Sequence, residues 1–96
     1  MSQMFESSDF NQNISKWNTS NVEFMNSMFA YSDFDQDISN WDVVNVMNME
    51  NMFKRSKFNK DLSNWKVLPM CIRTHMFYCC PAEKQRKWRP EILKEY

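Results

Sequence analysis

The sequence predicts an α/β repeat solenoid: a leucine-rich-repeat-like stack of 24-residue strand–helix coils with a short C-terminal helical cap. Three observations predict it. The pair Met-Phe recurs at 4–5, 28–29, 52–53 and 76–77, each step being 24 residues. Other large positions keep the same step, as in Phe10/Phe34/Phe58, Ile14/Ile38/Leu62 and Trp17/Trp41/Trp65. Each unit also divides into one part with strand-like alternation and one with helix-like spacing. Such a repeat marks an array whose units bury their apolar faces against one another.

The strand is expected over Ile14–Thr19 and its equivalents Ile38–Val43 and Leu62–Val67. Large residues fall at positions one, four and six of each, and the last two alternate as a strand requires. The helix is expected from Val22 through Met25, Met28 and Phe29 to Ser32, a spacing that places one apolar stripe on one face. Asn21 and Asn45 stand just ahead of it, where a side-chain oxygen can cap free helix amides. The segment Phe10–Asn13 is polar after its Phe and returns the chain to the next strand. Like-on-like stacking then predicts a ladder of Trp17, Trp41 and Trp65 and a second ladder of Met-Phe pairs. The same step aligns Val22, Val46 and Met70, and it aligns Ser8, Ser32, Ser56 and Cys80.

The pattern decays towards the end. Pro69 stands in the place of the capping Asn, Arg73 replaces a stripe Met, and Cys80-Pro81 stops the fourth unit. The repeats are therefore bounded at residues 1–81. Residues 82–96 form a capping segment in which Pro90–Tyr96 reads as a short helix with Pro in its first turn. At the start, Met1, Met4, Phe5 and Ser8 match Met25, Met28, Phe29 and Ser32, so the chain is expected to begin inside a coil. Met1, Met4 and Phe5 then form an uncovered apolar edge, a template for pairing.

Composition narrows the function. Net charge is zero, which gives no bulk electrostatic drive towards nucleic acid or an anionic membrane. The charges are nonetheless segregated. Residues 1–50 hold eight acids and one base, Lys16, whereas residues 51–96 hold eleven bases and four acids. Glycine is absent, which removes the tight loops that cradle phosphates and dinucleotides. No apolar stretch approaches membrane-spanning length. The N-terminus, Met1–Ser8, has no basic region followed by an apolar run, so no secretory signal is expected.

The unit Phe34-Asp-Gln-Asp-Ile-Ser-Asn-Trp-Asp-Val43, continuing into Asn45-Val46, a Met-rich segment and Met52-Phe53, resembles the BspA-like surface-protein repeats. That group was first catalogued as a mycoplasma-type domain of unknown function. The resemblance covers residues 1 to about 80, and Met76-Phe77-Tyr-Cys-Cys-Pro81 followed by Lys87-Trp88 resembles the segment that closes such arrays. It implies a surface or virion setting and adhesion or partner binding in place of catalysis.

Candidate sites follow from the same letters. The outward row of the expected strands is Lys16, Asn18 and Ser20; Asn40, Asp42 and Val44; Asn64, Lys66 and Leu68. In repeat arrays such a face commonly binds a protein partner, and these nine residues are the expected contact surface. A second mode is assembly, either self-association or docking into a larger structure through the edge of Met1, Met4 and Phe5. Asp33-Phe-Asp35-Gln-Asp37 alternates carboxylates as a calcium loop does, but the Gly and late Glu of such a loop are missing, so a solvated turn is expected. Cys71, Cys79, Cys80 and His75 have donors suited to zinc, but no Cys-x-x-Cys pair, and a packing role is expected for them. Lys84, Arg86, Lys87, Trp88 and Arg89 interleave bases with an aromatic, and they read as a solvated cap in place of a nucleic-acid patch. No catalytic set, cofactor or metal is expected.

Overall fold

In the Met-Phe segments, every second main-chain amide points out of its own unit and into the next. The computed structural model describes residues 1–85. In it the N–H groups of Ser27, Phe29 and Tyr31 donate to the carbonyls of Glu50, Met52 and Lys54 at 2.8–2.9 Å. The same three bonds run from Gln3, Phe5 and Ser7 to Asn26, Met28 and Ala30, and from Asn51, Phe53 and Arg55 to Thr74, Met76 and Tyr78. The intervening amides close tight turns within the unit, as Met28 does on Met25, Ala30 on Ser27 and Ser32 on Phe29. Within these segments the ladder between neighbouring 24-residue units runs one way, while beside them bonds run back, from Asp33 to Ser8, Lys57 to Ser32 and Ile72 to Met47.

This ladder overturns the α/β solenoid that the spacing predicts. Among the described residues there is no α-helix and no sheet. Regular structure is confined to a 3-10 helix, Pro81–Lys84, and two isolated parallel bridges, Phe24 with Asn48 and Asn48 with Ile72. The molecule is instead a small compact body with a radius of gyration of 11.7 Å, built almost entirely of turns and irregular chain.

The physical reason lies in the backbone. Gln3, Ser7, Ser27, Tyr31, Asn51, Arg55, His75 and Cys79 all have φ between 54° and 58°. Two left-handed residues four apart in every unit break any run of helical hydrogen bonds, because an α-helix needs each N–H to reach back four residues. The apolar stripe from Val22 to Ser32 is real, but it is a stripe along successive turns. Asn45 caps no helix; its side-chain Nδ2 donates to the Ser20 carbonyl of the preceding unit at 2.6 Å.

The expected strands are corrected as well. Ile14, Ile38 and Leu62 are buried, and so are Trp41, Trp65, Thr19, Val43 and Val67, as the pattern required. However, Trp17, Trp41 and Trp65 each return an amide to the residue three before it, at 3.0–3.1 Å. Asn13, Asp37 and Asp61 set up that turn by accepting the N–H two residues on, from Ser15, Ser39 and Ser63. A short polar side chain that satisfies its own backbone competes with ladder pairing. Inter-unit main-chain pairing therefore occurs where a helix was expected and is missing where strands were expected.

All eight left-handed positions are filled without a single glycine. A side chain in that region costs roughly 1–2 kcal/mol, which Gly avoids. Asn51 also buries its Oδ1 without a hydrogen-bond partner among the described residues. Asn51→Gly should therefore raise stability by about 0.5–1 kcal/mol, and Asn51→Val should lower it by about 1–2 kcal/mol. Denaturant midpoints of the two variants against the parent check both signs.

The core is a double file of aromatic rings. Phe5, Phe29, Phe53 and Phe77 stack at centroid distances of 5.7, 5.5 and 5.6 Å, and Phe10, Phe34 and Phe58 stack at 6.2 Å. Within a unit the two files also touch, at 4.0 Å for Phe29–Phe34. The tryptophans do not form the expected ladder of stacked rings. Each lies tilted against the Phe of its own unit, and the indoles of Trp41 and Trp65 donate to the carbonyls of Ile14 and Ile38 one unit back.

One alignment fails in the third unit. Met70 should be buried like Val46, yet it is 70% exposed, and Cys71 takes the buried place. The turn closed by Val43 and Val46 is matched by one from Leu68 to Cys71, so the chain has slipped by one residue at Pro69. At the other end of the fourth unit, Ala82 is buried and donates its amide to Phe58. The expected helix Pro90–Tyr96 and the residues Arg86–Arg89 lie outside the described residues.

Candidate functional site

The polar row expected to bind a partner is exposed, Ser20 being half-buried, but much of it is already engaged. The Asn18 Oδ1 accepts the Ser20 amide at 3.1 Å and the Ser20 hydroxyl at 2.7 Å. The Asp42 Oδ1 accepts the Val44 amide at 3.1 Å. Lys16, Asn40, Asn64 and Lys66 make no side-chain hydrogen bond or ion pair among the described residues, so they are the polar groups that remain available.

Beside this row the structure adds an open groove of about 540 Å³, part polar and part apolar, lined by Val44, Val46, Met47, Leu68 and Met70 together with Asn21, Glu23 and Asn45. Each wall has a local cause. The turn on Asp42 directs Val44 outward. The slip at Pro69 expels Met70. The carbonyl of Glu23 holds the amides of both Met47 and Asn48, which leaves the Met47 side chain 46% exposed. Phe24 and Ile72, at the isolated bridges, are also half-exposed.

Val44 and Leu68 belong to the row read from sequence, whereas Met47, Met70, Phe24 and Ile72 were missed. Met47, Phe24 and Ile72 sit where units differ: Glu23, Met47 and Cys71 share one repeat position, and Phe24, Asn48 and Ile72 share another; Met70 sits at a kept apolar position that its equivalents Val22 and Val46 share. A search for what recurs passes over positions that differ. The available signal was the reverse one, an apolar residue at a position that is polar in another unit, and it marks Met47, Phe24 and Ile72 but not Met70.

The carboxylates of the Asp33–Asp37 segment do not converge. Asp33 pairs with Lys57 at 3.3 Å, and Asp35 pairs with Lys60 at 3.5 Å while accepting the Asn59 amide. Asp37 caps Ser39. The Ser39 amide, then the Ser39 hydroxyl, hold the Asp37 carboxyl below its ordinary pKa; slight burial opposes them and the Lys60 charge adds to them. A depressed carboxyl favours the folded state above its unfolded pKa, and that contribution disappears as pH falls through the lowered value. Asp37, Asp61 and Lys60 also line a second cleft of about 420 Å³ with Ser39, Asn59 and Asn64. Among the described residues no three His, Cys, Asp or Glu side chains come together as metal donors.

The cysteines form no disulfide; Cys71 and Cys80 are buried and Cys79 is exposed. Burial pushes the Cys71 thiol up, against smaller opposing effects from the Arg73 charge and the Met49 amide. A buried, protonated thiol is a poor nucleophile. Iodoacetamide at neutral pH should therefore label Cys79 quickly, and label Cys71 and Cys80 only on unfolding. Intact-mass and peptide-mass measurements over time check the order.

The remaining sequence-predicted site among the described residues is the first unit's edge. Met4 is 51% exposed, Met1 and Phe5 are half-buried, and Trp17 is 38% exposed. Phe77, at the equivalent of Phe5 in the fourth unit, is 6% exposed, so the two ends of the aromatic file differ.

Recurring 24-residue units, joined by main-chain bonds between equivalent segments and bearing a groove with exposed apolar side chains, define a small repeat protein. The family model described as "Mycoplasma protein of unknown function, DUF285" matches residues 1–88, and the chain belongs to that family. No curated protein and no solved structure matches it. Among the described residues, no helix is long and apolar enough to cross a membrane.

Proposed function

We propose that this chain is a non-catalytic protein-interaction module of the adhesion type, and that a protein partner lies across the groove of Val44, Met47, Leu68 and Met70. The observation that carries the reading is the grouping of those four apolar side chains in the open. Soluble chains rarely leave such patches uncovered unless something binds them. Methionines suit a binding surface because their unbranched chains adapt to irregular partners. The free polar groups Lys16, Asn40, Asn64 and Lys66 would form the rim, which fixes orientation more than it adds affinity. The resemblance to BspA-like surface repeats supports the same reading, including a cell-surface or virion setting.

A photo-crosslinking residue placed at Leu68 or Met47 tests it, with Tyr31, exposed but outside the groove, as the control position. Expressed in the cell of origin, the groove positions should give one defined protein adduct that the Tyr31 position does not give. Equal adducts from all three positions would refute the proposed surface.

A second reading, structural assembly through the edge of Met1, Met4 and Phe5, is favoured by the contrast between half-buried Phe5 and buried Phe77.

A further inference from the structure

The second cleft, between the second and third units, has a lining unlike that of the groove. Its volume of about 420 Å³ falls in the range of small-molecule sites, roughly 300–1,000 Å³. All six residues that line it are polar or charged: Asp37, Ser39, Asn59, Lys60, Asp61 and Asn64. Turns and inter-unit bonds set its walls. The carboxylates of Asp37 and Asp61 hold the amides of Ser39 at 2.9 Å and Ser63 at 2.8 Å. The Asn59 main-chain amide donates to the Asp35 Oδ1 at 2.9 Å, and the Lys60 ammonium lies 3.5 Å from the same atom. Within that frame the Asp61 Oδ2 and the carboxamides of Asn59 and Asn64 make no hydrogen bond among the described residues. The equivalent place one unit back differs on two counts. Asn13 stands there in the position of Asp37, and Gln36, in the position of Lys60, donates its side-chain amide to Asn11 at 3.0 and 3.2 Å. Two carboxylates beside spare carboxamides are therefore peculiar to this junction.

We propose that this cleft is a binding site for a neutral saccharide, whose hydroxyl groups meet Asp37, Asp61, Asn59 and Asn64. The argument is one of donors and acceptors. The two carboxylates only accept, the Lys60 ammonium only donates, and the two carboxamides do both. A sugar hydroxyl also does both, so neighbouring hydroxyls on one ring can satisfy this mixed set in turn. A simple anion would face two carboxylates. A simple cation would face Lys60 and leave the amide N–H groups without acceptors. Bonds from hydroxyls to ionised carboxylates are also stronger than those between neutral groups. Asp37 keeps its charge in mild acid, because the Ser39 amide and then the Ser39 hydroxyl hold its carboxyl below the ordinary value. Part of the lining surface is apolar, contributed by the carbon atoms of the same residues, and the C–H face of a sugar ring fits against it. The site goes beyond the protein partner proposed for the groove; of its six residues only Asn64 belongs to the rim of that surface.

The test titrates the nitrogen-15-labelled full chain with neutral disaccharides (maltose, cellobiose, lactose and chitobiose). Glucuronic acid, spermidine and calcium chloride serve as charged probes. At least one neutral disaccharide should saturably shift the side-chain amides of Asn59 and Asn64 and the main-chain amides of Ser39 and Ser63. The amides of Met47 and Met70 should stay in place. Asp61→Asn is the informative variant. Asn13 makes the same turn onto Ser15 in the first unit, at 2.9 Å, so the substitution keeps the local fold while removing the charged acceptor. It should weaken sugar binding about tenfold. Sugar binding unchanged in Asp61→Asn would overturn the proposal, because the carboxylate pair is what sets this cleft apart. Saturable shifts from spermidine or calcium with none from the sugars would overturn it in favour of a cation site. Glucuronic acid binding as tightly as the neutral sugars, or no shift from any sugar at tens of millimolar, would overturn it as well. Adducts at Leu68 and Met47 report the groove alone, so the two surfaces fail or succeed separately.

Discussion

Trp41→Ala is expected to cost roughly 3–5 kcal/mol, a large share of the total stability of a domain this small. Three losses coincide there. The indole is 4% exposed, its ring lies 6.3 Å from that of Phe29, and its N–H donates to the Ile14 carbonyl at 3.1 Å. Truncation leaves a cavity as well as a buried acceptor with one partner fewer. Trp17→Ala is the internal control. It removes the same side chain from the open face, where the indole is 38% exposed and makes no inter-unit bond, and it should cost less than half as much. Chemical denaturation of the two variants side by side gives the comparison. Equal costs would mean that the tryptophans act within their own units and that inter-unit bonding adds nothing.

Phe53→Ala should be comparably damaging, at roughly 3–5 kcal/mol, with Phe53→Leu near 1–2 kcal/mol. Phe53 is fully buried and meets four other rings: Phe29 at 5.5 Å, Phe77 at 5.6 Å, Phe58 at 4.2 Å and Trp65 at 6.5 Å. The cavity cannot close easily. The backbone on either side is held by ladder bonds, Phe29 to Met52 at 2.9 Å and Phe53 to Met76 at 2.8 Å. Phe5→Ala, at the half-buried end of the same file, should cost much less. A gradient from Phe5 to Phe53 in measured unfolding free energy would show that stability accumulates by stacking unit on unit.

These effects explain how a glycine-free chain tolerates eight left-handed residues. Each such residue carries a local cost, yet each is fixed by inter-unit bonds beside it and by rings beneath it. Ser27 and Tyr31 themselves donate ladder bonds, at 2.8 Å each. Strained backbone persists where the surroundings over-determine it. The same logic accounts for the groove. Where the repeat is kept, side chains are locked into the core. At Pro69, which stands where the other units have Asn21 and Asn45, the register slips and Met70 is released to the surface.

The sequence by itself determined the 24-residue unit and most of the inward side chains. The letters at Ile14, Trp41, Phe29 and their equivalents recur because each must fill the same place in a stack, and recurrence is visible without coordinates. It also determined that Val44 and Leu68 face outward. Only the tertiary structure decided what the backbone does between those anchors. The spacing of Val22, Met25, Met28, Phe29 and Ser32 fits a helix and a series of tight turns equally well. Which of them forms depends on whether the amides of Met25, Ser27, Phe29 and Tyr31 bond within the unit or across to the next. That choice is made by neighbours 24 residues away, through bonds that no local preference encodes. The strand-like segments were decided the same way, when Asn13, Asp37 and Asp61 turned the chain onto itself and left the pairing to the segment beside them.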